Sequence, residues 1–242
     1  MRYRLHGQLI LIPNPEQTLR KIRYWSIGGD IPAEHNFEDF SQTVENTVGS
    51  AIKSGSVPVV LGGDHSITYP VIKGIRSVYD EINIIWLDSH PDIYPEYEGD
   101  PYSHACPLSR ILELGGIGEV CQGGIRAATR VLNKRLQDAG VTVYTINELS
   151  RMSGLKLPGK TYLTIDIDVL DPAFAPGAGT PVPGGVSTRE LINLIHSFDI
   201  DIAGFDVVEV NPAFDHAQIT AAAAAKIVME TIGSIVSSRS RK

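Results

Sequence analysis

The chain of 242 residues contains little cysteine and no long apolar run. Its two cysteines, Cys106 and Cys121, are too few for a disulfide framework. No apolar stretch approaches the ~20 residues that a membrane-spanning helix needs. The N-terminal stretch MRYRLHGQLILIPNP lacks the long apolar core and the small-residue cleavage site of a signal peptide. We therefore expect a soluble, cytoplasmic protein.

Basic residues are fewer than acidic residues. The 21 Lys and Arg residues against 28 Asp and Glu give a net charge of −7, which argues against nucleic acid or an anionic membrane as a partner. The apolar content of 43% and the charged content of 20% are typical of a globular domain. Because no repeat, low-complexity linker or composition break divides the chain, we expect one domain over residues 1–242.

Short apolar runs typical of buried strands alternate with amphipathic stretches typical of helices. The strand-like runs are PVVL (58–61), INIIWLD (82–88), VTVYTI (141–146), YLTIDID (162–168) and IAGFDVVEV (202–210). Helices are predicted at Phe37 to Ile52, Val131 to Leu136, Leu191 to His196, and from near Asp215 onward. Ser187 or Thr188 can cap the third helix, with Glu190 in its first turn. The alternation predicts an α/β domain with a parallel sheet and helices on both faces.

Acidic and histidine side chains follow four of the predicted strands. In chain order they are His65, then Asp88, His90 and Asp92, then Asp166 and Asp168, and finally Glu209. Ligands of open α/β sheets bind beyond the carboxyl ends of the strands, so these side chains are expected to meet. Each fragment alone is equally consistent with a turn or a helix cap. Together, the four aspartates would raise one another's cost of ionisation unless cations neutralise them.

The types of side chain in this group indicate two divalent ions. Two ions balance four aspartates, and six protein ligands suffice if two aspartates bridge. Carboxylates and imidazoles without thiolates favour Mn²⁺, with Zn, Co, Ni and Fe as alternatives. A two-metal site usually supplies a hydroxide nucleophile, which indicates a hydrolase. Glu209 ends an apolar strand and has no basic residue nearby in sequence. Its carboxylate therefore suits a planar guanidinium as ligand. The alternative is a structural ion pair with an arginine such as Arg126.

Five separated segments together resemble the ureohydrolase superfamily of arginases and agmatinases. These segments are GGDHS, DSHPD, SHACPLSRI, TIDIDVLDPAFAPGAGTPVPGG and DVVEVNPAFD, in the family's order, within residues 26–236. The resemblance implies a single α/β/α three-layer domain with a central, mostly parallel eight-stranded sheet. It also implies two Mn²⁺ ions per subunit, release of urea from a guanidino group, and a homo-oligomer, usually a trimer or a hexamer.

The resemblance also gives each matching residue an expected role. His65 and Asp92 would be terminal ligands of one ion, His90 and Asp168 terminal ligands of the other, and Asp88 and Asp166 the bridging pair. Asp92 would also orient the bridging hydroxide. His104, in the SHACP segment, would relay protons to the leaving amine or to solvent, and Glu209 would hold the guanidinium.

The expected substrate is agmatine, cleaved to putrescine and urea as part of polyamine metabolism. The stretch IYPEYEGDPYSH contains three acidic residues but no Asn or Ser before Ser103. No acidic residue directly follows GGIR. Both features resemble agmatinases. Three departures bear on this choice: Ser89 replaces the usual alanine, Ala105 follows His104 as in plant-type arginases, and the region before residue 26 is short.

Several alternatives stay open at this point. Arginine, guanidinobutyrate, guanidinopropionate and guanidine itself are further candidate substrates. A two-metal hydrolase of an acyl amide or a formimino compound is a third possibility. A metal-binding member without turnover is the non-enzyme alternative, and the full set of ligands together with His104 and Glu209 speaks against it.

Overall fold

A computed structural model describes residues 7–12, 26–32 and 36–239. Most of the short N-terminal region before residue 26 therefore lies outside the described residues. The strands are β1 Gly7–Ile12, β2 Ser26–Ile31, β3 Val57–Leu61, β4 Ile82–Leu87, β5 Ile117–Ile125, β6 Thr142–Thr145, β7 Lys156–Asp166 and β8 Asp199–Val208. The α-helices are α1 Phe37–Lys53, α2 Thr68–Arg76, α3 Pro107–Leu112, α4 Arg130–Asp138, α5 Thr188–Ser197 and α6 Ile219–Arg239.

The strands form one sheet in the order β2-β1-β3-β8-β7-β4-β5-β6. The six strands from β3 to β6 in this order pair in parallel, whereas β1 pairs antiparallel to both β2 and β3. All six parallel strands consequently end at the same edge of the sheet. β3, β8, β7 and β4 are neighbours there, and each is followed by residues predicted for the site.

Helices cover both faces of the sheet, so the predicted three-layer α/β/α domain is confirmed. The alternation of side chains along β4 shows the division: Ile84 and Trp86 belong to one buried cluster, and Ile85 and Leu87 to the other. The first cluster includes residues of α1, α2, α3 and α4, and the second includes residues of α5 and α6. Burial of both faces explains why β3 and β4 are continuous apolar runs.

Local capping defines where the predicted helices begin. Asn36 accepts a hydrogen bond from the Asp39 main-chain nitrogen at the start of α1. Ser187 and Glu190 form a reciprocal capping box at the start of α5, as the sequence predicts. The Asp215 carboxylate accepts hydrogen bonds from the nitrogens of Thr220 and Ala221, so it caps the first turn of α6 although that helix begins at Ile219.

The last helix corrects the expectation about membrane-spanning length. The segment His216–Arg239 is long and apolar enough to cross a bilayer by length and composition alone. One face of this helix is nevertheless buried inside the protein, where Ile227, Val228, Ile232 and Ile235 belong to the core cluster that covers the sheet. Core helices of this kind meet the same length and composition criteria.

Candidate active site

The carboxyl ends of β3, β4 and β7 bring the predicted ligands together, and β8, between β3 and β7, ends just before Glu209. His65 begins a 3-10 turn after β3, Asp88 follows β4, and Asp166 is the last residue of β7. The ligand atoms form two groups, in each of which all of them lie within 4.8 Å of one another. The groups are His65, Asp88, Asp92 and Asp166, and Asp88, His90 and Asp168. Asp88 is common to both, and the expected bridging role of Asp166 stays a prediction.

The first group is arranged around one nitrogen of His65. Nδ1 lies 3.2 Å from Oδ2 of Asp88, 3.1 Å from Oδ2 of Asp92 and 3.3 Å from Oδ2 of Asp166. This nitrogen is buried and has no hydrogen-bond partner among the described residues. A single ring proton cannot satisfy three carboxylates, whereas a divalent cation among these atoms would neutralise them. The residues present therefore fit a metal ion.

The second group is held by main-chain as well as side-chain contacts. His90 Nδ1 lies 2.9 Å from Oδ2 of Asp168, and its main-chain nitrogen donates to Oδ1 of Asp88 at 2.6 Å. The nitrogen of Ser89 donates to Oδ1 of Asp168 at 3.0 Å, and the nitrogen of Asp168 donates to Oδ1 of Asp166 at 2.8 Å. Hydrogen bonds of this kind orient ligand carboxylates before an ion binds.

Two further residues orient the ligands and were not singled out from the sequence. Thr164 Oγ1 lies 2.9 Å from Nε2 of His65, which leaves Nδ1 free to face the carboxylates. Trp86 Nε1 donates to Oδ2 of Asp88 at 2.9 Å, and its ring stacks on His65 with centroids 4.3 Å apart. Trp86 stands two residues before Asp88, and Thr164 stands two residues before Asp166. Because alternate residues of a strand point to the same face of the sheet, each side chain lies on the same side as the aspartate that follows it.

Burial and mutual repulsion make this cluster unfavourable as a set of free anions. Burial and the charge of Asp88 raise the pKa of Asp92 to about 7. Burial, Asp168 and Asp88 likewise raise the pKa of Asp166 well above its ordinary value. Burial alone would lower the pKa of His90, but Asp168 and Asp88 raise it to about 11. Divalent cations among these groups would favour the ionised carboxylates, so the electrostatics of the cluster suit metal ions.

Glu209 lies next to the cluster and has an unusual backbone. Its φ of 66° is in the left-handed region, which non-glycine residues seldom adopt. Its Oε1 accepts a hydrogen bond from the His65 main-chain nitrogen at 2.8 Å. Burial and the neighbouring Asp64 raise the pKa of Glu209 to about 8. Arg126, the alternative ion-pair partner, instead donates to main-chain carbonyls, so this carboxylate remains available to a cationic ligand.

A cavity of about 180 Å³ opens beside the cluster. His90, Asp92, Asp166 and Glu209 line its inner end, and Tyr94, Tyr97, His104, Ala127, Leu132 and Thr180 are among the residues around it. The ring of His104 meets that of Tyr97 edge to face, with centroids 5.8 Å apart. Every residue predicted for catalysis thus borders this cavity. The acidic residues of the 95–100 loop are exposed, whereas Tyr97 of the same loop reaches the cavity.

The arrangement and the chain's similarity to known proteins agree. The model of the arginase family matches residues 12–233. The chain belongs to the arginase family. This family is metal-dependent, and the buried His and Asp cluster can hold its metal ions.

Relatives within the arginase family carry two different names. The agmatinase of Bacillus anthracis is 35% identical over 227 residues, which cover 91% of this chain and 78% of that protein. The mitochondrial arginase 1 of Arabidopsis thaliana is 41% identical over 187 residues, covering 74% of this chain and 55% of that protein. The chain thus matches little more than half the length of this plant arginase. These relatives support a hydrolase acting on guanidino C–N bonds.

Solved structures of arginase-family proteins show the same fold. The structure of arginase from Medicago truncatula superimposes on this chain with a TM-score of 0.79 and 36% sequence identity. The match covers 83% of this chain and 66% of that protein. The agmatine ureohydrolase of Thermoplasma volcanium has a TM-score of 0.71 at 30% identity, over 84% of this chain and 70% of that one.

Proposed function

We propose that the protein is a binuclear manganese ureohydrolase that converts agmatine to putrescine and urea. The observation that carries this proposal is the charge of the cavity wall. Acidic groups lie at the inner end, while no lysine, arginine, asparagine or glutamine is among the described residues that line the cavity. Agmatine is cationic at both ends and carries no carboxylate. Arginine would bring an α-carboxylate that this wall offers few donors to hold.

The two groups of ligands would each hold one ion. His65, Asp92 and Asp166 belong to one position, His90 and Asp168 to the other, and Asp88 to both. When bound, two divalent ions supply an activated water and stabilise the negative charge that develops during hydrolysis. Their ligand set of carboxylates and imidazoles without thiolate supports Mn²⁺.

Glu209 would bind and orient the guanidinium. A carboxylate can accept two parallel hydrogen bonds from this planar cation, which fixes the orientation of the carbon that is attacked. The cation also makes ionisation of Glu209 favourable, which burial and the neighbouring acids otherwise oppose. The pairing would thus release the proton that the carboxyl group retains in the free protein.

His104 would provide the proton that the leaving amine requires. It lies at the cavity wall and is partly exposed, so its ring can exchange protons with solvent. Histidine is suited to proton transfer near neutral pH. Tyr97 and Tyr94, which form an edge-to-face pair at 5.6 Å, would flank the distal ammonium of agmatine with aromatic rings.

Arginine is the second candidate substrate because one observation favours it. Ala105 follows His104, as in the plant-type arginases that the sequence resembles, and a plant arginase is 41% identical to this chain. We therefore expect slow hydrolysis of arginine in addition to that of agmatine. The cavity wall around Ala127 would determine the preference for agmatine over arginine.

The test is urea release by Mn²⁺-loaded protein from agmatine, arginine, guanidinobutyrate, guanidinopropionate and guanidine. Urea from agmatine, lost in His90→Ala, is the expected result. His196→Ala is the matched control, since His196 is a surface histidine paired with Glu230 at 3.1 Å. Two bound ions without urea from any compound would favour the family member without turnover, and urea from arginine alone would make the protein an arginase.

The proposal extends to the state of the protein in the cell. We propose a cytoplasmic homo-oligomer of three or six chains. Size-exclusion chromatography with light scattering measures the number of chains directly, and cell fractionation measures the location.

A further inference from the structure

Arg126 is a partly buried cation that the proposed chemistry does not use. It directly follows β5, and its side chain reaches across to the loops after β7. We propose that Arg126 is a positioning residue for the metal-binding half formed by Asp88, His90 and Asp168. This inference rests on the metal-binding part of the proposed function and is independent of the substrate.

The guanidinium of Arg126 makes six hydrogen bonds to five main-chain carbonyls. Nη2 donates to the oxygens of Asp168 at 2.6 Å, Leu170 at 3.2 Å and Val182 at 2.7 Å. Nε donates to Val182 as well, and Nη1 donates to Gly124 and Val169. Among the described residues no carboxylate lies within ion-pair distance of this side chain. Its donors therefore connect chain segments rather than neutralise acids.

Four of these carbonyls belong to two segments that carry site residues, whereas that of Gly124 lies on β5, which directly precedes Arg126. One begins at the ligand Asp168, and the other follows Thr180, which lines the cavity and places its Oγ1 3.4 Å from Oδ2 of Asp168. The main chain of Arg126 contacts a third segment, since its nitrogen donates to the oxygen of Ser89 at 3.0 Å. Arg126 thus joins the segment between Asp88 and His90 to the segment that carries Asp168.

The loop that contains Gly185 packs closely against the guanidinium. A Cβ at Gly185 would lie 2.7 Å from Nη2 of Arg126 and 2.5 Å from the main chain of Leu170. The loop therefore approaches Arg126 closely because residue 185 is glycine. A planar group with several donors fits this set of carbonyls, whereas the compact ammonium of lysine cannot reach them all.

The two halves of the cluster should respond differently when this side chain is changed. Asp168 belongs to one group of ligands only, and none of the carbonyls that Arg126 contacts belongs to a residue of the other group. Loss of the guanidinium would release the main chain of Asp168 and lower the affinity of its ion. A purely electrostatic role predicts the opposite, because removal of a nearby positive charge favours cation binding.

The experiment is a calorimetric Mn²⁺ titration of the metal-free full chain, with the bound ions counted by elemental analysis. The variants are Arg126→Met and Arg126→Lys. Arg76→Met is the matched control, since Arg76 also donates to main-chain carbonyls, those of Gly115 and Tyr79, but on no ligand-bearing segment. Melting temperatures of the chelated variants separate a general loss of stability from a local loss of affinity.

We expect one of two Mn²⁺ equivalents to bind about ten- to a hundredfold more weakly in Arg126→Met, as for other residues that orient metal ligands. The other equivalent should be weakened much less, because Asp168 contacts that group only through the hydrogen bond from its nitrogen to Asp166. Arg126→Lys should lie between Arg126→Met and the wild type, and Arg76→Met should match the wild type. Equal weakening of both ions, or unchanged or tighter binding in Arg126→Met, would overturn the proposal. A wild-type chain that binds two ions but releases no urea would refute the proposed reaction and leave this inference standing.

Discussion

The main-chain nitrogen of His65 donates a hydrogen bond to Oε1 of Glu209, with a nitrogen–oxygen distance of 2.8 Å. In return, the main-chain nitrogen of Glu209 donates to the oxygen of Gly63 at 2.9 Å. The segment after β3 and the segment after β8 are thereby joined in both directions. One segment carries an expected metal ligand and the other the residue expected to hold the guanidinium. The fold thus determines the distance between Glu209 and the ligand His65.

Substitution Glu209→Gln should reduce kcat/KM for agmatine while both ions still bind. The amide keeps the size of the side chain but loses the charge that pairs with the guanidinium. Hydrogen bonds to charged groups contribute about 1.5–3 kcal/mol, which corresponds to roughly 10- to 150-fold in kcat/KM. Steady-state urea release measures the loss. Glu113→Gln, at a largely exposed glutamate, is the control, and an unchanged kcat/KM in Glu209→Gln would contradict the assigned role.

Thr164→Val should weaken metal binding, whereas Thr161→Val should not. Both threonines are fully buried on β7, but Thr164 contacts Nε2 of His65 while the Thr161 hydroxyl has no partner among the described residues. Loss of such an orienting contact typically lowers metal affinity about 10- to 100-fold. Removal of an unpaired buried hydroxyl is neutral or stabilising. Mn²⁺ titration of both variants measures the difference, and equal affinities would show that the contact does not orient His65.

The ligands could be found from the sequence, but the residues that orient them could not. Asp88 and Asp166 stand out because ionisable groups are rare at the ends of apolar runs. Trp86 and Thr164 have the same spacing from these aspartates but belong to residue types that are common in buried strands. Only the structure shows that the indole nitrogen and the hydroxyl contact ligands.

The fold shows a similar division. The apolar runs predict β3 and β4 closely, but they do not indicate β5, because IGEVCQGGI contains three glycines and little apolar periodicity. Tertiary packing requires two of these glycines. A Cβ at Gly123 would lie 2.3 Å from the sulfur of Met152, and Gly124 has a φ of 97° next to the oxygen of Asp88. A strand selected by close approach of its neighbours leaves no local pattern in the sequence.

His104→Asn should reduce kcat and leave metal binding unchanged. The side chain borders the cavity but belongs to neither group of candidate ligands. Removal of a proton-transfer group typically lowers the rate by about 10²- to 10⁴-fold. Steady-state kinetics with agmatine, together with a count of bound Mn²⁺, measures both properties. Loss of an ion in this variant would show instead that His104 acts through the cluster.

The stability of the metal-free protein should fall as the pH rises from 5 to 8. The pKa of Asp92 is raised to about 7, so this carboxyl group favours the folded state while protonated, and this contribution disappears as the pH rises through 7. The pKa of His90 is raised to about 11, so its contribution is complete below pH 6.5 and also declines as the pH rises. The lowered pKa of Asp88 acts only in more acidic solution. The contributions in this range therefore have the same sign.

The predicted size of this effect can be measured by thermal unfolding in EDTA. Between pH 5 and pH 7, the loss of one such proton lowers the free energy of unfolding by about 3 kcal/mol. For a domain of this size this corresponds to a fall of roughly 5–10 °C in Tm. Asp92→Asn should flatten the dependence, because the amide has no proton to lose. Bound Mn²⁺ should reverse it, since ligands must lose protons to bind an ion and metal affinity rises with pH. A chelated protein whose Tm increases from pH 5 to 8 would show that the cluster tolerates its charges without cations.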